Sequence, residues 1–339
     1  MGTGKSSSIW KTAAGVAISL IFIFLAFRRV NAAEMLQALA QADYLFLLPA
    51  LAVVLLGLFL RSLRWHYLLL PIARADTGVL FVSLSIGYMA NTFMPAHLGE
   101  FVRAWHAARR TGIQPGAMLA SIVIERIIDV VSLLLLLGLA LLIFPFPGWV
   151  RQSGAIMLVL VVLLSLLLLL MKKYRRTSLA ACQRMLCFLP GKVTSRVYRI
   201  LEQFLCGVVP LERCGHYAVV ALLSLLIWAS YAWTYQLLFQ AFGFVASYRL
   251  PWSAALVTMV VTTISVVVPS SPGYIGTFHY LCQLALGLFL VPKGPALSYA
   301  FVLHAISVLP VFFLGLFLLA REKLSLRMLN EEELHAADR

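Results

Sequence analysis

Glu125, Arg126 and Asp129 lie inside one of the most apolar stretches of the chain, Ile122-Val-Ile-Glu-Arg-Ile-Ile-Asp129. On a helix Glu125 and Asp129, four apart, share a face. Arg126 lies three before Asp129, so an internal ion pair is geometrically easy. A charge this deep in a membrane-spanning helix costs about 2.5–3.5 kcal/mol on insertion scales. Three together need partners or a wet cavity, which leaves two readings, a helix-locking ion network or a polar site for a ligand.

A second group of polar residues surrounds a helix-breaking segment, Phe93-Met-Pro-Ala-His-Leu-Gly-Glu-Phe101. Asn91 precedes the break, His97 and Gly99 lie within it, and Glu100, Arg103 and His106 follow. A helix starting near Leu98 directs free backbone donors and the positive end of its dipole at whatever lies before it, which suits an anionic group such as a lipid phosphate. Arg103 is expected to contact that group, because a guanidinium binds two phosphate oxygens at once. The competing reading of Arg103 is a snorkelling residue at the membrane boundary. His97 suits a turn cap better than proton chemistry.

The same Pro-x-x-x-Gly spacing returns in Val268-Pro-Ser-Ser-Pro-Gly-Tyr-Ile-Gly-Thr-Phe-His279. Proline lacks a donor and glycine a side chain, so each break frees backbone that hydrocarbon tolerates only when protein or a polar cavity covers it. Ser270, Ser271 and Thr277, with the backbone at Gly273 and Gly276, offer hydroxyls and amides to a headgroup, or satisfy the freed backbone themselves. His279 is the nearby group able to change charge near neutral pH. Arg61 and Arg64, three apart beside Trp65 and Tyr67, read as interfacial anchors or as a lipid-phosphate entry point.

Composition fixes what must position these residues. Hydrophobic residues make up 62% of 339 and charged ones only 12%, with mean hydropathy +0.94, so one soluble core cannot hide them. The fold class is an all-α polytopic membrane protein. Full spans are predicted at about 10–27, 44–70, 117–143, 153–171, 216–242 and 298–320. The first is a retained span, not a signal peptide, because Arg28-Arg29 follows where small residues would mark cleavage. Shorter apolar runs at about 78–94 and 252–268 end at the breaks and are followed by short helices at about 100–111 and 277–291. Both read as re-entrant hairpins entering from opposite faces, in a possible inverted repeat.

The net charge of +14 reflects basic loops that record topology and contact with anionic lipid, not nucleic acid. This arrangement puts 21 basic residues inside and five outside, with both termini cytoplasmic. Residues 172–213 form a basic loop with an apolar rhythm, either an amphipathic helix pair on the membrane surface or a solvated linker. The domain reading is one membrane domain over 1–320 with that loop inside it, and a short tail at 321–339. The five cysteines make no C-x-x-C pair and read as reduced thiols, and no metal or cofactor is expected.

Taken in order, Ile86-Gly-Tyr-Met-Ala-Asn91-Thr-Phe-Met-Pro95-Ala-His-Leu-Gly99-Glu100-Phe-Val-Arg103, Glu125-Arg126-Ile-Ile-Asp129 and Pro269-Ser-Ser-Pro272-Gly273-Tyr-Ile-Gly276 resemble the lysylphosphatidylglycerol synthase transmembrane family, also called flippase-like domain proteins. The resemblance covers essentially the whole chain. It implies a lipid or glycolipid flippase-like fold in the cytoplasmic membrane of a bacterium or archaeon. Some relatives move aminoacylated phosphatidylglycerol and others are tied to hopanoid or polyprenyl-linked glycan pathways. By the resemblance Asn91, Glu100, Arg103, Glu125, Arg126 and Asp129 map to recurring polar positions. The family often has Glu where His279 stands, a departure that leaves an acid role there in doubt.

The leading expectation is transbilayer movement of an anionic phospholipid or lipid-linked headgroup. The alternatives are a membrane-embedded transferase, with His97, His106 and Glu100 as base or ligands, and an accessory subunit docking envelope-lipid biosynthesis enzymes through the basic loop. The sequence holds no Gly-x-x-x-x-Gly-Lys-Ser/Thr motif for ATP-driven pumping. With only a short tail after the last span, no aminoacyl-lipid synthesis is expected.

Overall fold

A computed structural model describes residues 19–94, 97–144, 148–185, 191–209, 214–266 and 272–322. Helix α1 covers residues 19–27, followed by α2 (Ala32–Gln41), α3 (Leu47–Leu69), α4 (Thr77–Phe93), α5 (Gly99–Thr111), α6 (Pro115–Ile143) and α7 (Gly148–Lys173). Then come α8 (Arg175–Met185), α9 (Gly191–Gly207), α10 (Cys214–Ala241), α11 (Phe244–Ser247), α12 (Trp252–Thr263), α13 (Thr277–Gly287) and α14 (Lys293–Arg321). The described residues contain no strand.

Five segments, Tyr44–Leu69, Pro115–Ile143, Val150–Lys173, Cys214–Ala241 and Lys293–Arg321, are long and apolar enough to cross a membrane. They match five of the six predicted spans, and residues 10–18 of the sixth lie outside the described residues. Helix α7 shows why water is the wrong solvent. Leu158, Leu160, Leu163, Leu166 and Leu169 are all exposed, an apolar face that hydrocarbon, not water, accommodates.

Local signals set the helix ends. The Asp76 carboxylate accepts from the Val79 N–H at 3.0 Å to start α4. Gly112, at φ 74°, ends α5 in the left-handed conformation that glycine adopts freely, and Pro115 opens α6.

The bundle has two distinguishable ends. Helices α3 and α10 run antiparallel, with Asp43 N–H on Ala241 O at one end and Tyr67 against His216 at the other. The second of these, the basic end, carries α8 and α9, Arg109, Arg110 and Arg321. Helix α4 starts there, and α5 returns to it and is tied by Arg110 to Glu322. The second hairpin is inverted. Helix α12 follows α10 and α11 from the opposite end, and α13 returns to it, where Gln283 Nε2 donates to Ala26 O and Lys293 O. Two hairpins therefore enter from opposite ends, as the sequence predicted.

The first hairpin closes on glycine. A Cβ at Gly99 would lie 2.1 Å from Gly87 O and 2.4 Å from Asn91 Oδ1, so only a residue without a side chain lets α5 start this close to α4. Of the predicted amphipathic pair, α9 packs on the start of α6, with Gly116 against Ile200 and Gln203, and Gly207 against Ala117.

Gly99→Ala should force α4 and α5 apart, with a loss of about 1–3 kcal/mol. Gly138→Ala, where a Cβ meets nothing within 4 Å, should be neutral. Thermal unfolding of both variants in detergent checks the contrast.

Candidate functional site

Four helices converge on one ion cluster about ten residues, or ~15 Å, into α6. Glu125 is fully buried and receives Arg103 through both oxygens, at 2.6 Å to Oε2 and 3.4 Å to Oε1. Arg126 donates to Oε1 at 2.7 Å. One turn along, Asp129 accepts from Arg64 at 2.6 Å and from Arg61 at 3.2 Å. Arg61 Nε also donates to the Tyr231 hydroxyl and Arg64 Nη1 to Ser224 Oγ at 3.0 Å, which ties in α10. Glu100 lies 3.5 Å from Arg103.

Arg61 and Arg64 correct the sequence reading. They are not interfacial anchors but buried members of this cluster, Arg64 with no exposed surface. Their spacing of three was the available signal, since it sets both on one face of α3. Their partners on α6 lie more than 60 positions away and could not be read from it.

Arg103 is equally enclosed. Its guanidinium carbon sits 3.8 Å over the Trp65 ring, whose indole N–H donates to Ser121 Oγ at 2.8 Å. The cluster therefore fastens α3, α5, α6 and α10 together, beyond the internal pairing on α6 that the sequence suggested. Buried pairs of this kind offset their desolvation only when every charge keeps its partners.

Beside the cluster opens a cavity of about 450 Å³. Arg61, Glu100, Arg126, Asp129, Tyr88 and Asn91 line one part of it. Leu58, Leu133, Met157, Val308, Val311 and Phe278 line the rest, with hydroxyls from Thr234, Thr263 and Ser307. Arg126 reaches it with 40% of its side chain exposed, against 0–8% for the other three arginines. The lining thus combines charged and hydroxyl groups with apolar side chains, the make-up of a ligand pocket.

The hairpin tips meet at this cavity. The Tyr274 hydroxyl lies 3.3 Å from His97 Nε2, and a Cβ on Gly273 would lie 3.6 Å from Thr92 O. His97 and Tyr274 both have φ 57°, and Gly273 has φ 73°. His304 Nε2 holds Gly273 O at 2.8 Å, so this histidine lines the cavity and braces the second tip.

Of the residues selected from sequence, Asn91, His97, Glu100, Arg126, Asp129 and Gly273 line the cavity together. Arg103 and Glu125 stand behind its wall, and Gly99 is used for helix packing. Thr277 caps its own turn by donating to Tyr274 O at 3.0 Å. Gly276, at φ 93°, packs against Ser19 O of α1. His279 is buried, accepts from Gly276 N–H and packs tilted against Phe301 with ring centroids 4.4 Å apart, outside the cavity lining. Ser270 and Ser271, with Pro95 and Pro269, lie outside the described residues. Sequence reading did not select Tyr88 and Tyr231, aromatic residues in apolar helices that carry no distinguishing pattern, nor Tyr274, which stands inside the second break.

Residues 12–315 match the family described as lysylphosphatidylglycerol synthase TM region. The chain is similar to the UPF0104 membrane protein of Methanothermobacter thermautotrophicus, at 26% identity over 306 residues, covering 88% of this chain and 90% of that one. It is also similar to glycosyltransferase AglD of Haloferax volcanii, at 26% over 129 residues, which is 38% of this chain and 21% of that protein. No solved structure gives a significant match.

Glu125→Gln should leave Arg103 and Arg126 without their full countercharge and cost about 3–5 kcal/mol. Arg126→Gln, at a part-exposed position, should cost much less. Melting temperatures in detergent distinguish a bracing residue from one facing the cavity.

Proposed function

The chain belongs to the lysylphosphatidylglycerol synthase TM region family, and from that premise we propose that its cavity passes the anionic headgroup of a membrane lipid or lipid-linked molecule across the bilayer. One observation carries this reading. The cluster holds four guanidiniums against three carboxylates, and of the two arginines that line the cavity, Arg61 and Arg126, Arg126 is much the more open. A residual positive charge at the edge of a largely apolar chamber favours a ligand with one anionic group and a hydrocarbon body.

The role first expected of Arg103 passes to Arg126. Arg103 is covered by Trp65 and occupied by Glu125, so it positions the site without touching the ligand. Asn91 and Glu100 stand at the same polar wall, and His97 and Gly273 at the meeting of the tips. The excess of basic residues at the end carrying α8 and α9 supports a cytoplasmic orientation for that end in a cytoplasmic membrane. Hairpins entering from opposite ends and meeting inside suit a site that serves both faces in turn.

A second reading is a membrane-embedded transferase, or a subunit serving one in an envelope-lipid pathway. The similarity to a protein named as a glycosyltransferase favours it, although that similarity covers 21% of the relative.

Purified protein in liposomes, supplied with fluorescent phosphatidylglycerol or phosphatidylcholine, tests the proposal by reagent access to the label. The anionic lipid should move across and the zwitterionic one should not. Arg126→Gln should slow the anionic lipid by at least about tenfold, near 1.4 kcal/mol, and keep its melting profile. An unchanged rate in that variant overturns the role of Arg126. Product formation from a lipid-linked sugar donor, without lipid movement, supports the second reading.

A further inference from the structure

The cavity wall divides by helix. Its charged residues, Arg61, Glu100, Arg126 and Asp129, come from α3, α5 and α6, whereas α10, α12 and α14 contribute no Arg, Lys, Asp or Glu to the lining. These three helices bring hydroxyl groups instead, Thr234 from α10, Thr263 from α12 and Ser307 from α14. Tyr231 marks the boundary, since its hydroxyl receives Arg61 Nε. Thr234 stands three residues further along α10, a rise of about 4.5 Å. Next to it the Tyr235 hydroxyl meets Thr262 Oγ1 at 2.5 Å, which ties α10 to α12 at the same wall.

Each of the three hydroxyls has already committed its hydrogen. Thr234 Oγ1 donates to Ser230 O at 3.0 Å, Thr263 Oγ1 to Met259 O at 2.7 Å and Ser307 Oγ to Leu303 O at 2.7 Å. A hydroxyl has one hydrogen and two lone pairs, so after this back-bonding the three oxygens offer the cavity acceptors alone. Donors stand on the charged side, where Arg61 and Arg126 supply guanidinium N–H groups. Trp228, whose indole N–H has no hydrogen-bond partner among the described residues, is on that side too, between the α10 residues that meet Arg64 and Arg61.

A ligand that spans both walls therefore places its anion on one and hydrogen-bond donors on the other. An ammonium is drawn to a carboxylate, and Glu100 and Asp129 stand on the charged side. The donors suited to an uncharged wall of oxygens are alcohol hydroxyls.

We propose that Thr234, Thr263 and Ser307 form a subsite for alcohol groups, and that the headgroup taken by the cavity is a phosphodiester whose alcohol carries further hydroxyls, as a glycerol or a sugar does. This assignment rests on the phosphate position at Arg126 proposed above. The single negative charge of the diester meets the residual positive charge of the cluster, the headgroup hydroxyls donate to the three oxygens, and Leu58, Leu133 and Val311 cover part of the hydrocarbon.

The test compares two short-chain lipids of equal charge, dioctanoyl phosphatidylglycerol, whose headgroup ends in a diol, and dioctanoyl phosphatidylethanol, whose headgroup has no hydroxyl. In calorimetric titration of the full-length protein in detergent, phosphatidylglycerol should bind at least about fivefold more tightly, the worth of about one neutral hydrogen bond. Equal affinity overturns the subsite. Thr234→Val, Thr263→Val and Ser307→Ala combined should bring phosphatidylglycerol down to the phosphatidylethanol value and leave the latter unchanged. The melting temperature should hold, because these hydroxyls bond backbone carbonyls within their own helices. Each single variant should lower the preference in part, and a preference untouched in all three overturns the assignment.

Two further arms separate this subsite from the reading on which it rests. Arg126→Gln should weaken both lipids alike and keep their ratio, whereas unchanged affinity for both refutes the phosphate position while the surviving ratio upholds the subsite. Glycerophosphoglycerol, the same headgroup without acyl chains, should bind far more weakly than the lipid. Equal binding overturns a lipid as the source of the headgroup.

Discussion

Charge placed in hydrocarbon is the constraint from which this bundle is built. Arg61, Arg64, Arg103 and Arg126 could not each be desolvated alone, because an uncompensated charge in an apolar interior costs several kcal/mol. Glu125 and Asp129, one turn apart on α6, give them shared partners, and that sharing fixes the approach of α3, α5 and α10 to α6. The same electrostatics that brace the bundle leave the Arg126 guanidinium open to a chamber whose wall Arg61 also joins. The bracing cluster and the cavity therefore share a wall.

Around that cluster the hairpins do what continuous spans cannot. A complete helix hydrogen-bonds its own backbone and shows a membrane interior only side chains. Helices that stop midway bring backbone, hydroxyl and imidazole groups to the middle of the bilayer. Here the stops come from both ends and meet at His97, Gly273 and Tyr274, next to Arg126 and Glu100. Gly99 allows α5 to begin against α4, and His304 anchors the other tip from α14.

Much of this was legible in the chain because the bilayer imposes lengths and polarity on sequence. Apolar runs located the long helices, and proline with glycine located both breaks to within a few residues. The charges inside α6 announced that partners had to be found for them. Less visible was which arginine does what. Arg103 and Arg126 have the same side chain, and each lies within three residues of a carboxylate. Trp65, nearly 40 positions before Arg103, covers one and leaves the other open.

The sequence by itself determined the membrane class, the long helices, the two interruptions and the presence of buried charge, because these follow from local composition and from what a residue can do with its own backbone. Tertiary structure alone decided that Arg61 and Arg64 leave the interface for the ion cluster, that His279 stands outside the cavity while His304 lines it, and that the tips touch. Each of these depends on which distant helix comes to lie alongside, and the competition among carboxylates for guanidiniums is settled by distances that no spacing along the chain encodes.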